Sequence, residues 1–275
     1  MLEPVLLMAL LAPGILAQDG PTAEEVVAQA KAPLGFNITT GAWLIRLRGD
    51  SALGRSGNLS LDDQLAMNDR EAVFRGEFRV GRDDWGVEIM GMDFETSSSG
   101  TFGSAGTWGD ASFAAGDAFR SSFDFMSIGV EGQWNPLDLI GEANTHIPMF
   151  LTVGPHLGIN YSDIRQRLSF DTTASDEQGE FASIYGGGQL ILRMDTMDRL
   201  PWLRKIEFRA GGGFGAALGH DGGTMFHARA DMRFYFMKNI AVLFGYRLLE
   251  LNVEKGDWKP APSLQGLFVG ASIEF

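Results

Sequence analysis

The sequence predicts an all-β fold: an up-and-down antiparallel transmembrane β-barrel of about ten strands, with eight or twelve as the other counts the pattern allows. Three observations predict it. Apolar residues recur at every second position over segments mostly 11–16 residues long. Strands of soluble proteins are usually ~5–6 residues, whereas a tilted strand that crosses a bilayer needs about 9–11. Beyond residue 16 no run approaches 18 consecutive apolar residues, so a membrane could be entered only by a closed barrel, which leaves no backbone group unpaired in lipid. The chain also carries 36 glycines and 20 phenylalanines among 275 residues. That is well above the usual ~7% glycine and suits sheets more than helix bundles.

The elements follow in chain order. Residues 1–17 read as a signal peptide: Val5 to Leu16 is apolar, and Ala17 is a small residue at a plausible cleavage point. Residues 18–34 read as a short leader, partly helical, with Thr22 and Glu25 spaced as a capping box and Pro33 ending the run. From residue 35 to 275 the period is two. Strands are expected at about 36–48, 71–81, 85–95, 119–134, 147–162, 182–195, 204–219, 224–237, 239–252 and 264–275. The clearest is "REAVFRGEFRVGR", where Ala72, Phe74, Phe78 and Val80 alternate with Arg75, Glu77 and Arg79. Three strands are poorly phased. Phe123 and Phe125 fall opposite Met126, Ile128 and Val130, which a bulge would explain. Alternation fails after Ile89, and Leu243 and Leu249 fall on a face read as polar.

The connections alternate in length. "GRDDW" and "MKN" are short, whereas 49–70, 96–118 and 163–181 are long, polar and rich in Ser, Gly and Asp. Short turns on one side and long loops on the other match bacterial outer-membrane barrels. Trp85, Trp134 and Trp202 fall at or beside the inner turns, where an aromatic girdle belongs.

The chain ends on a strict alternation, Leu267, Val269, Ala271, Ile273 and Phe275. This strand resembles the C-terminal signature of bacterial outer-membrane β-barrel proteins, which the barrel-assembly machinery recognises. The resemblance implies residence in the bacterial outer membrane and contact with its lipid. It also implies dependence on the assembly machinery and periplasmic chaperones during biogenesis, with these five residues as the assembly signal.

The face opposite the apolar one is charged. It carries Arg46, Arg48, Arg75, Arg79, Arg193, Arg209, Arg229, Arg233 and Arg247, opposed by Glu77, Glu88, Glu131, Asp195, Glu207, Asp231 and Glu274. Both signs on one enclosed face suit a narrow lumen, where each ion needs a partner. Pairing the strands around 182–195 and 204–219 sets Arg193 opposite Glu207. The expected lumen network is Arg75, Glu77, Arg79, Arg193, Asp195, Glu207, Arg209, Arg229, Asp231, Arg233 and Arg247.

Other constellations are weaker. Net charge is −13, which argues against a nucleic-acid partner, since that wants a basic face. There is no cysteine, so thiolate metal sites are excluded. No His/Asp spacing suggests a metal, and neither metal nor cofactor is expected. "GGGFGA" at 211–216 fits a dinucleotide fingerprint, but the strand period runs through it and no helix follows. Its glycines instead thin the barrel wall. His156 and His227 face inward and are assigned to the lumen network. His220 and Asp221 lie in an outer loop. Omptin-type outer-membrane proteases also have about ten strands and use Asp and His at the rim, although the His-Asp order here departs from theirs. The function expected is an integral outer-membrane barrel, structural or surface-exposed, or a narrow pore with a charged lumen, and not an enzyme. The alternatives are an outer-membrane hydrolase with a site at the extracellular rim and a soluble secreted β-sandwich.

Overall fold

The structure is a computed structural model. It describes residues 34–55, 57–82, 84–140, 149–171, 173–196, 200–218 and 221–275. The expected signal peptide, and all of the expected leader except Leu34, lie outside the described residues.

Ten long strands form the barrel wall: β1 (Gly35–Leu53), β2 (Arg70–Gly81), β3 (Trp85–Thr101), β4 (Ala118–Trp134), β5 (Met149–Phe170), β6 (Thr173–Asp195), β7 (Lys205–Leu218), β8 (Gly223–Tyr235), β9 (Ile240–Val253) and β10 (Trp258–Glu274). Each pairs antiparallel with the next, and β10 pairs with β1 from Asn37–Glu274 to Leu53–Trp258. The sheet therefore closes on itself and keeps no free edge. One closed sheet replaces the two-sheet sandwich.

Alternation decides which side chains meet the outside. The exposed large residues include Phe36, Phe74, Ile128, Leu157, Phe214, Phe244 and Val269. At the inner end Trp134, Trp202, Phe236 and Phe275 are exposed, with Trp202 stacked on Phe236 at 6.1 Å. Trp85 and Trp134 are register partners. This aromatic belt suits the boundary between acyl tails and headgroups.

Several strands are longer than expected. β5 and β6 run 22 and 23 residues, about twice what a tilted strand needs to cross the bilayer. The polar segment 163–181 is therefore a protruding hairpin, paired up to Phe170–Thr173, and not a loop. Likewise β3 continues through Ser98 to Thr101, β1 reaches Leu53, and β10 starts at Trp258 despite Pro260 and Pro262.

The three poorly phased strands contain no phase shift. In β4, Phe119, Phe123, Phe125 and Glu131 all point inward, while Arg120, Asp124, Met126 and Val130 point outward. What changes along the strand is chemistry. Low on the wall the outer face is apolar and the inner face mostly charged, with Leu243 buried there in register with Arg233. Higher up the outer face is polar and the inner face apolar. β9 inverts between Leu248 and Glu250, with Leu249, Leu251 and Val253 inside. β1 inverts between Leu44 and Arg46, so Arg46 and Arg48 face outward, contrary to the sequence reading. Above the bilayer water replaces lipid outside, and the barrel then buries its apolar residues like any water-soluble fold.

Candidate functional site: a two-layer lumen

The barrel interior has an outer apolar layer and an inner charged layer. The apolar layer centres on Trp43, Phe94, Phe123, Phe125, Phe181 and Phe268, each at most 1% exposed. It is sealed above by Leu61, Leu65 and Met67 from the β1–β2 connection. A short hairpin (Gly106–Trp108 with Ala111–Phe113) adds an aromatic knot, with Phe102 3.8 Å from Phe113 and 4.9 Å from Phe119.

Below it the charges form linked groups. Arg75 Nε donates to Glu77 at 3.0 Å, and Arg247 donates to both Glu77 and Asp231, the latter at 3.3 Å. These two guanidiniums also meet the floor of the apolar layer. Arg247 lies 4.2 Å above the Phe268 ring and Arg75 5.7 Å above Trp43, the geometry of cation–π contact. Arg229 bridges Glu88 at 2.8 Å and Glu131 at 3.0 Å, and Gln133 donates to both carboxylates. Nearer the inner end, Arg193 and Arg209 both donate to Glu207. Arg233 is buried beside them in register with Glu207. Arg79 donates to the Arg82 carbonyl at 3.2 Å.

The remaining expected member stands at the inner end. Asp195 ends β6 opposite Lys205 and is exposed. Tyr235, on the charged face of β8 but outside the expected network, donates to Glu274 while Lys205 lies 3.7 Å over its ring. Sequence reading missed Tyr185. Its hydroxyl donates to Glu131 at 3.2 Å. A ring on a charged face carries no alternation signal of its own.

Glycine makes room for these rings. Across β5 and β6, Gly158 is the register partner of Tyr185, and a Cβ there would collide with the ring and its hydroxyl. The glycines of "GGGFGA" sit on β7 within the wall, and no helix follows. At the rim, the Asp221 carboxylate accepts from the Gly256 backbone N–H at 2.6 Å. His220 lies outside the described residues.

The closing strand presents Leu267, Val269 and Ile273 outward. Ala271 is exposed on the same face. Phe275 exchanges backbone hydrogen bonds with Phe36 at 2.8 and 3.2 Å.

No protein-family model matches the chain, and no curated protein matches it. Solved structures with a similar fold include the attachment invasion locus protein Ail of Yersinia pestis, at 12% identity and TM-score 0.31, covering 89% of this chain and 100% of that one. The outer membrane protease OmpT of Escherichia coli is 8% identical with TM-score 0.38, covering 88% and 96%. The toluene transporter TodX of Pseudomonas putida is 9% identical with TM-score 0.27, covering 88% and 90%. Likeness at these values carries no argument about activity.

Proposed function

We propose that this chain is an integral outer-membrane barrel whose lumen is closed to solutes and whose working surface is the part that stands above the outer leaflet. Insertion in lipid is supported by the closed sheet with its apolar outer band and inner aromatic belt. The single observation that carries the closed-lumen reading is the apolar layer of Trp43, Phe94, Phe123, Phe125, Phe181 and Phe268 lying across the barrel above the charged layer. An ion would have to pass through packed aromatic rings without partners for its charge. The charged layer is then structural: it fills the lower lumen and links strands distant in sequence. The outer barrel, polar outside, is a rigid stalk that presents the β5–β6 hairpin and the loops to the medium. The residue class on that hairpin, with Asp176 paired to Arg165 and Arg167 and Asp163 accepting from Gln178, suits a solvated recognition surface more than a catalytic one.

Planar-bilayer recording of the refolded protein tests this. The expected trace shows no steady conductance above that of bare lipid. A reproducible open level would overturn the closed-lumen reading and favour a pore.

A further inference from the structure

His156, Gly187, Gly213 and His227 lie in one register row across β5, β6, β7 and β8. The two glycines leave the wall bare between the two imidazoles, whose centroids are 5.3 Å apart. A Cβ on Gly213 would stand 2.6 Å from His227 Nε2 and 3.0 Å from His156 Nε2. Both Nε2 atoms therefore converge over the same glycine. Glu131 on β4 reaches the same point, its Oε2 3.9 Å from His156 Nε2. One donor atom from each of the three residues lies within 4.8 Å of the others.

The converging imidazole nitrogens are without hydrogen-bond partners. His156 is 5% exposed, and among the described residues neither of its ring nitrogens has a hydrogen-bond partner, nor does His227 Nε2. Buried imidazole nitrogens without partners are costly, and each such group calls for an explanation. A cavity of about 50 Å³ adjoins Glu131 and His227, with Tyr185 and Arg229 also in its lining. That is room for an ion with a water.

We propose that Glu131, His156 and His227 bind a divalent transition-metal ion in the lumen, with Zn²⁺ the best match. Two imidazoles and one carboxylate are a set that Zn²⁺ accepts, with a fourth position left for water or the Tyr185 hydroxyl. Zinc–nitrogen bonds of about 2.0–2.1 Å bring two donors to roughly 3.4 Å apart. The imidazoles reach this by small rotations that the bare glycines leave free. The carboxylate is held in place by its neighbours. Glu131 Oε1 accepts from Arg229 and Gln133, each at 3.0 Å, leaving Oε2 to the ion and to Tyr185. Arg229 lies between two carboxylates, Glu88 and Glu131, so the site offers more acidic groups than its one guanidinium pairs. The ion would tie β4, β5 and β8 together across the lumen. This inference does not depend on whether the lumen conducts.

Tag-free full-length protein, refolded in detergent and stripped with chelator, is titrated with Co²⁺ and then with Zn²⁺. One equivalent of Co²⁺ is expected to give the intense visible bands of a low-coordinate site, and Zn²⁺ to abolish them. His156→Gln and His227→Gln are expected to weaken Zn²⁺ binding at least tenfold. Tyr185→Phe, which frees the carboxylate but keeps all three ligands, is expected to weaken it about tenfold. The double variant His146→Gln/His220→Gln is expected to bind as the parent does. A parent spectrum that remains that of the hydrated ion overturns the proposal whether or not the variants fold. So does uptake that survives His156→Gln/His227→Gln in folded barrels or vanishes with His146→Gln/His220→Gln.

Discussion

Arg193 on β6 stands opposite Glu207 on β7, its Nε 3.1 Å from the carboxylate, and the two are register partners across the sheet. Glu207 is 1% exposed and also accepts from Arg209 on its own strand. One carboxylate thus holds two guanidiniums.

Glu207→Ala should therefore lower the urea or guanidinium unfolding midpoint strongly. Removing one partner of a fully buried pair costs about 3–5 kcal/mol, less where water reaches the lumen. Glu180→Ala, on the exposed face of the β5–β6 hairpin, should cost below about 1 kcal/mol. Tryptophan fluorescence of the two refolded variants decides, and equal midpoints would show that Glu207 is not held in a buried network.

Gly158→Ala should destabilise the barrel although it adds a single methyl group. The new Cβ falls on the Tyr185 ring and drives its hydroxyl away from Glu131. Overpacking of this kind costs about 1–3 kcal/mol. Gly132→Ala is the control, since its Cβ meets nothing nearer than 3.8 Å. Heat-modified migration in electrophoresis at graded temperatures should separate them, with Gly158→Ala unfolding first.

The height of the outer barrel makes a prediction about access. Ser98 lies within β3, where its hydroxyl bonds the Leu65 carbonyl, so it is no place for an inserted tag. A short epitope after Asp171, at the hairpin tip, should be stained by antibody on intact cells. The same epitope between Asp83 and Asp84 should be stained only after the envelope is opened. The reverse pattern would invert the barrel.

Deleting Phe275 should separate stability from assembly. Its ring is 70% exposed, and the deletion removes the backbone bonds to Phe36, at about 1 kcal/mol each. The remaining register from Asn37–Glu274 to Leu53–Trp258 still closes the sheet. Refolding in detergent should be near normal. In cells the truncated chain should reach the outer membrane in lower amount and accumulate unfolded in the periplasm. Normal membrane levels would show that the terminal ring is not an assembly signal.

The Asp176 carboxyl in the protruding hairpin is held below its usual range, chiefly by hydrogen bonds from Arg165. A depressed carboxyl contributes stability that is present above its unfolded value, about 3.9, and is lost as pH falls through the folded value. Amide exchange in the hairpin should thus be faster by a small factor in Asp176→Asn at pH 7, and the difference should shrink as pH falls below about 3.9. A larger effect in acid than at neutrality would refute the pairing.

The sequence by itself determined the strands and their closure. Period two states which residues share a face, and runs such as Ala72, Phe74, Phe78 and Val80 against Arg75, Glu77 and Arg79 state it without help from neighbours. It also placed Arg193 opposite Glu207, because a hairpin joins their strands and fixes the local register. Two things were decided only by the tertiary structure. One is the level at which the faces exchange chemistry. Phe123, Phe125 and Leu249 belong inside and Arg46 and Arg48 outside because their height puts them above the lipid, and alternation carries no height. The other is the meeting of His156 with His227. Their strands are separated by two others, so their approach depends on three successive registers and on glycine at both intervening positions. No spacing along the chain encodes that sum, and only the closed sheet brings the two imidazoles over the same bare wall.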